Sequence, residues 1–144
     1  VFAYDKPLIL GDSFPYFEWV IDDKIYGLNH LLGRAHLFYL YKGSEEAASL
    51  FYELIEEKGL MPYVHVIGEL PETFLKTTKT KGIAYIDDLS RPFLEHIAKG
   101  RGLANLFNQS ADVLLMDRFG HYEKSYSRAE FVKQLETLSD AYFS

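Results

Sequence analysis

One run, residues 34–59, constrains the fold more than any other part of the chain. Residues 35–41 (Ala-His-Leu-Phe-Tyr-Leu-Tyr) are apolar and aromatic, of strand length, and suited to burial on both faces of a sheet. Lys42-Gly43 interrupts them. Ser44 followed by Glu45 and Glu46 reads as a helix start. The hydroxyl caps free N–H groups, and the acids face the positive end of the helix dipole. Ala47, Leu50, Phe51, Leu54 and Ile55 then recur at helical spacing and are expected to face inward. Glu53, Glu56 and Glu57 lie opposite, and Gly59 closes the helix. A buried strand handing over through a tight turn to an amphipathic helix belongs to an α/β layer structure, and such junctions commonly carry the chemistry.

The rest of the chain supplies the other layers. Residues 1–16, with Pro7, Gly11, Asp12 and Pro15, read as an extended entry. Residues 17–21 and 24–26 predict a hairpin turning at Asp22-Asp23. Residues 28–33 are a helical turn stopped by Gly33, and 62–68 a second core strand. Pro71 opens a short helix over 71–75 that fades into the Lys/Thr run 76–82. A third strand at 83–86 and a helix at 91–98 follow. Residues 112–116 and 121–126 predict a second hairpin around Gly120, where a positive φ is expected. The tail from Ser127 is a capped helix with Glu130 in its first turn and Phe131, Val132, Leu135 and Leu138 inward. Without repeat or linker, 1–144 reads as a single domain. A chain of that length buries roughly two thirds of its unfolded surface.

Composition narrows the chemistry. Zero cysteines exclude disulfides, thiolate metal sites and cysteine catalysis. The formal charge of −6 argues against general nucleic-acid binding or a basic membrane-surface role. No apolar run approaches the about 20 residues of a membrane span. No signal peptide is visible, so the expected compartment is the cytoplasm, and Val1 in place of Met suggests a cut start or a longer parent chain.

Several local motifs occur in a familiar order. Leu10, Gly11 and Asp12, followed by Pro15 and Phe17, resemble a "G-D-x-x-P-x-F" opening. Residues 28–33 resemble an "L-x-x-L-x-G-K" turn with Arg34 in place of lysine. Residues 64–68 resemble a strand ending "V-I-G-V-S", and 113–120 an "F-L-I-D-x-x-G" hairpin. Over residues 10–139 this order resembles the peroxiredoxin (redoxin) branch of the thioredoxin-like superfamily. The resemblance implies a thioredoxin-like α/β fold, a central mixed β-sheet flanked by helices, with an extra N-terminal β-hairpin. It also locates what is missing. Where the family carries a peroxidatic cysteine loop, this chain has only Lys42 to Glu46; Ser44 and Ala47 fall near the two cysteines of a thioredoxin-style pair. Ala111 stands where the resemblance implies a cis-proline. A serine without a neighbouring base has no peroxide chemistry, and it has no sulfur redox chemistry at all.

Other candidates are weighed against ordinary structural roles. Ser44 is a relic of a nucleophile or, more simply, a helix cap. Of the five histidines, His36 and His65 sit on adjacent predicted core strands and could face one another. No two histidines have i, i+4 ligand spacing, so no metal site is assigned. His121-Tyr-Glu123 imitates a metal-binding H-x-E pair, without the later histidine that would complete a triad. Asp22-Asp23 and Asp87-Asp88 are turn residues by position, and Lys76, Lys79 and Lys81 a solvated helix end. The aromatics Phe2, Tyr4, Phe14, Tyr16, Phe17, Trp19 and Tyr26 exceed what one hairpin buries against its own sheet. Phe14, Tyr16 and Trp19 are therefore expected at an interface, with a second copy or a neighbouring domain.

The reading is a cysteine-less, redox-inactive thioredoxin-like domain with no catalytic residue and no cofactor, working as a structural or protein-interaction module. Its partner is another protein or a second copy, with no nucleic acid and no membrane. The alternative is an enzyme or accessory domain for non-thiol chemistry or small-ligand binding, for example fused to an oxygenase or hydroxylase, with His36, His65 or Asp117 as acid/base.

Overall fold

In the computed structural model, which describes Gly11 and residues 18–21, 24–86 and 111–143, the 35–41 run forms the centre of the sheet. The elements are β1 (Glu18–Ile21), β2 (Lys24–Gly27), β3 (His36–Leu40), α1 (Glu45–Glu57), β4 (Val64–Ile67), α2 (Glu72–Thr80), β5 (Ala84–Ile86), β6 (Val113–Met116), β7 (Tyr122–Tyr126) and α3 (Arg128–Tyr142). Strands β1 and β2 form their own antiparallel hairpin, with Trp19 opposite Tyr26. The main sheet is mixed and five-stranded in the order β5-β4-β3-β6-β7. β3, β4 and β5 run parallel, while β6 and β7 are antiparallel.

Both faces of β3 are buried, which explains its continuous apolar composition. On one face Leu37, Tyr39 and Tyr41 join Val64, Val66, Val113 and Leu115. Against them pack Phe51, Tyr52 and Ile55 of α1, Phe74 of α2, and Phe131, Leu135 and Leu138 of α3. Aromatic rings lock this layer: Tyr39 stacks on Phe51 at 4.4 Å, and Tyr52 on Phe74 at 5.4 Å. Each such side chain contributes roughly 1.5–3 kcal/mol through burial. The other face of the sheet carries His36, Phe38, Leu40, His65, Ile67, Leu114 and Met116, all buried.

Three sequence expectations change in the structure. The α2 helix does not fade at Leu75; it continues to Thr80 because Thr78 turns inward, donating to the Phe74 carbonyl and bonding the Tyr52 hydroxyl at 2.9 Å. The strand expected from residue 62 starts at Val64, because Met61–Tyr63 form a 3-10 turn with Pro62 near its start. Leu50 and Val132, placed inward by periodicity, are each 50% exposed. The core against α1 is filled by Tyr52 instead, which leaves Leu50 outside. Gly120 has the expected positive φ, +86°. The helix expected at 91–98, and the Asp22-Asp23 and Asp87-Asp88 pairs, lie outside the described residues.

Candidate functional site

The strand-to-helix junction is built from Lys42, Gly43 and Ser44. Gly43 takes a φ of +98°, a left-handed conformation that costs glycine little and turns the chain sharply out of β3. Ser44 is extended, and its Oγ accepts from the Ala47 N–H at 3.1 Å. Its carbonyl accepts from Ala48 N. This is an N-cap, and no imidazole or carboxylate of the described residues bonds the hydroxyl.

Beside the cap, the segment before β6 is tied to the β3 turn and to the start of α3. Lys42 Nζ donates to the Ala111 carbonyl at 2.8 Å and lies 3.7 Å from Asp112 Oδ1. Asp112 Oδ2 accepts from the Arg128 N–H at 3.0 Å, and the Asp112 carbonyl accepts from Leu40 N. Tyr39 lies against the same group. Burial, and next the Asp112 carboxylate, push its phenol up to about 12, with Arg128 opposing. Ser127 caps α3 reciprocally with Glu130, its Oγ accepting from Glu130 N and donating to Glu130 Oε1. A hollow of about 490 Å³ opens between these helix starts, with Ser44, Ala47, Leu50, Asp112, Arg128 and Val132 on its walls. Its polar groups are engaged in backbone and ion-pair contacts that hold the junction together. None of them is arranged as a nucleophile with a base.

The arrangement of layers and the crossing from β3 through α1 to a parallel β4 are matched in solved structures. A candidate protein disulfide isomerase from Bacteroides thetaiotaomicron superposes with a TM-score of 0.63 at 16% identity, covering 95% of this chain and 92% of that one. The fold is thioredoxin-like. A thiol peroxidase from Chromobacterium violaceum matches at TM-score 0.59 and 16% identity, over 94% of this chain and 89% of that one. A cysteine-to-serine mutant of PrxQ from Xylella fastidiosa matches at 0.55 and 10%, over 93% and 99%. No protein-family model matches the chain, and no curated protein matches it by sequence. Thioredoxin-like neighbours of this type surround a chain whose sequence contains no cysteine.

The remaining candidates fall into place around this scaffold. His36 and His65 do meet: Nε2 of His65 is 3.1 Å from Nδ1 of His36, and both side chains are buried. Burial, and next the neighbouring His36, lower His65 to about 3. His36 is also lowered by burial, against the carbonyls of Leu31 and Tyr63, which favour its charged form, while nearby Arg34 opposes it. Asp117 serves the hairpin turn, where its Oδ1 accepts from the N–H groups of Phe119 and His121 at 2.9 Å each. His121 Nδ1 is 3.6 Å from Asp117 Oδ2. Lys76 and Lys79 are exposed and Lys81 pairs with Glu56 at 3.3 Å, as expected of a solvated helix end. Phe14 and Tyr16 lie outside the described residues, and Trp19 is defined there by its backbone pairing alone. Among the described residues no group of three or more metal-ligating side chains gathers, and no helix is long and apolar enough to cross a membrane. The residues that sequence reasoning missed are Lys42, Asp112 and Arg128. They are far apart in the chain, and no local pattern announces that they meet.

Proposed function

We propose that this chain is a redox-inactive thioredoxin-like module whose work is to hold protein surfaces together. One observation supports this above others: in a chain with no cysteine, the Ser44 hydroxyl at the head of α1 is committed to the Ala47 N–H. On the sequence resemblance, Ser44 and Ala47 stand at the two thiol positions and Ala111 at the proline position. A capped serine beside a lysine–carbonyl tie stabilises a scaffold and offers no sulfur for exchange. The aromatics Phe14, Tyr16 and Trp19 supply the contact surface, with a second copy or a neighbouring domain. Seven aromatics fall within residues 1–26, more than one hairpin buries against its own sheet, and that excess is what supports an interface there. Acid/base catalysis by His36 and His65 has less support, because both residues are buried, at 8% and 5% exposure.

Purified protein is expected neither to consume hydrogen peroxide at an enzymatic rate nor to reduce insulin disulfides. Turnover of either substrate that survives metal chelation would overturn the redox-inactive reading. For the aromatic surface, sedimentation in the presence and absence of candidate partner domains is the measurement. Tyr16→Glu is expected to leave the circular dichroism unchanged and to dissociate the assembly; a wild-type monomer with Trp19 emitting as a solvated indole would count against that surface.

A further inference from the structure

The misplaced pair Leu50 and Val132 marks a second surface. The two side chains lie on adjacent helices, α1 and α3, and each is half exposed where periodicity places it in the core. Two hollows, of about 490 and 260 Å³, both have Leu50, Leu54 and Val132 in their walls, so they form one continuous furrow along the seam. The helices run side by side in the same sense: Ser44 and Ser127 start them at one end, and Lys58 bridges to Glu136 at 3.1 Å toward the other. The floor is apolar along the seam. One rim is acidic. Glu46, Leu50, Glu53 and Glu57 follow i, i+4, i+7, i+11 spacing and form a single outward ridge of α1. All three glutamates are exposed, and among the described residues none has an ion pair; Lys58 and Lys81 are engaged with Glu136 and Glu56 instead. The furrow's other end holds Lys42, Asp112 and Arg128, where Lys42 is drawn toward Asp112.

We infer that the α1/α3 furrow is a docking groove for a basic amphipathic helix of another protein. A cleft between two side-by-side helices accepts a third helix by ridge-into-groove packing, with leucine-like residues at i, i+3 and i+4 meeting Leu50, Leu54 and Val132. Lysine or arginine flanking those residues meets Glu46, Glu53 and Glu57 across a partly desolvated rim. A second copy of this chain is the poorer occupant, since it brings the same acidic ridge and a net charge of −6 against itself. The inference rests on the interaction reading above and adds to the aromatic surface a second one with a single partner chemistry.

The test is a fluorescence-anisotropy titration of the whole chain with three designed peptides: a Leu/Lys amphipathic helix, a scrambled peptide of the same composition, and a Leu/Glu helix of the same pattern. The Leu/Lys helix is expected to bind, to weaken as salt rises, and to lose about tenfold or more in affinity in Leu50→Ser/Val132→Ser. Glu53→Lys/Glu57→Lys is expected to reverse the preference toward the Leu/Glu helix. Both double variants change exposed positions, and an unchanged circular dichroism spectrum verifies that they fold. Equal binding of the scrambled peptide, or binding indifferent to both double variants, would overturn the groove. So would a wild-type dimer that Leu50→Ser/Val132→Ser dissociates, since the occupant would then be a second copy. None of these results bears on peroxide or insulin turnover, so the failure of the groove is separable from failure of the redox-inactive reading.

Discussion

His36 and His65 form a buried imidazole pair, Nδ1 to Nε2 at 3.1 Å, with the rings 5.0 Å apart. One nitrogen carries the proton and the other accepts it. The contact follows from register. Phe38 of β3 stands opposite His65 of β4, so His36, two residues earlier on the same face, is the diagonal neighbour of His65. The His65 ring also stacks on Phe38 at 5.3 Å.

The pair makes stability depend on pH. Burial lowers both histidines in the folded chain, His65 to about 3, whereas the unfolded chain titrates near 6.5. Between those values the unfolded state binds more protons, so acid favours unfolding. The unfolding free energy from denaturant titrations is expected to be flat above pH about 7 and to fall below 6.5, by up to about 1.4 kcal/mol per pH unit for each histidine. His65→Phe is expected to flatten the slope between pH 5 and 7, above the usual carboxylate range. An equally steep slope in that variant would place the effect elsewhere.

Ser44 tests whether the junction is held by a cap. Ser44→Ala is expected to lower stability by about 0.5–2 kcal/mol, and Ser44→Asp to be nearly neutral, because a carboxylate also accepts from Ala47 N. Chemical denaturation of the three proteins decides it. Wild-type stability in Ser44→Ala would show that the Oγ contact contributes nothing.

Tyr52 and Thr78 give an asymmetric pair. Thr78 Oγ1 spends its proton on the Phe74 carbonyl, so the Tyr52 hydroxyl is the donor between them. Tyr52→Phe removes that donor and leaves Thr78 still bonded, for a cost of about 0.5–1.5 kcal/mol. Thr78→Val leaves a buried phenol without its acceptor and is expected to cost more, about 1–3 kcal/mol. Thermal melts in which Tyr52→Phe is the more damaging would reverse the assigned donor.

Gly120 carries two constraints at once, a φ of +86° and a position where a Cβ would meet Leu32 Cδ2 at 3.0 Å. Gly43, at +98°, has open space there. Gly43→Ala is therefore expected to cost backbone strain alone, about 1–2 kcal/mol, and Gly120→Ala slightly more. Adding Leu32→Ala to Gly120→Ala is expected to return the excess, because Leu32 is 53% exposed and its own truncation costs little. Purely additive effects in that double-mutant cycle would show that the contact carries no energy.

Sequence by itself determined the layers and the chemistry they lack. Continuous apolar runs at 35–41 and 113–116 mark strands buried on two faces, Ser44 and Ser127 mark helix starts, and zero cysteines remove thiol chemistry whatever the fold. These signals are local, since a strand, a cap and a missing sulfur are each set by neighbouring residues. Tertiary structure alone decided three other matters. It brought Lys42 to Ala111 and Asp112 across 69 and 70 residues of chain, and it set the diagonal contact of His36 with His65. It also turned Leu50 and Val132 outward. Helical periodicity states which residues share a stripe but not where the stripe's edge meets a neighbour. That edge was drawn by Tyr52, whose ring stacks on Phe74 and whose hydroxyl reaches Thr78, rotating α1 so that Leu50 lies beyond the core.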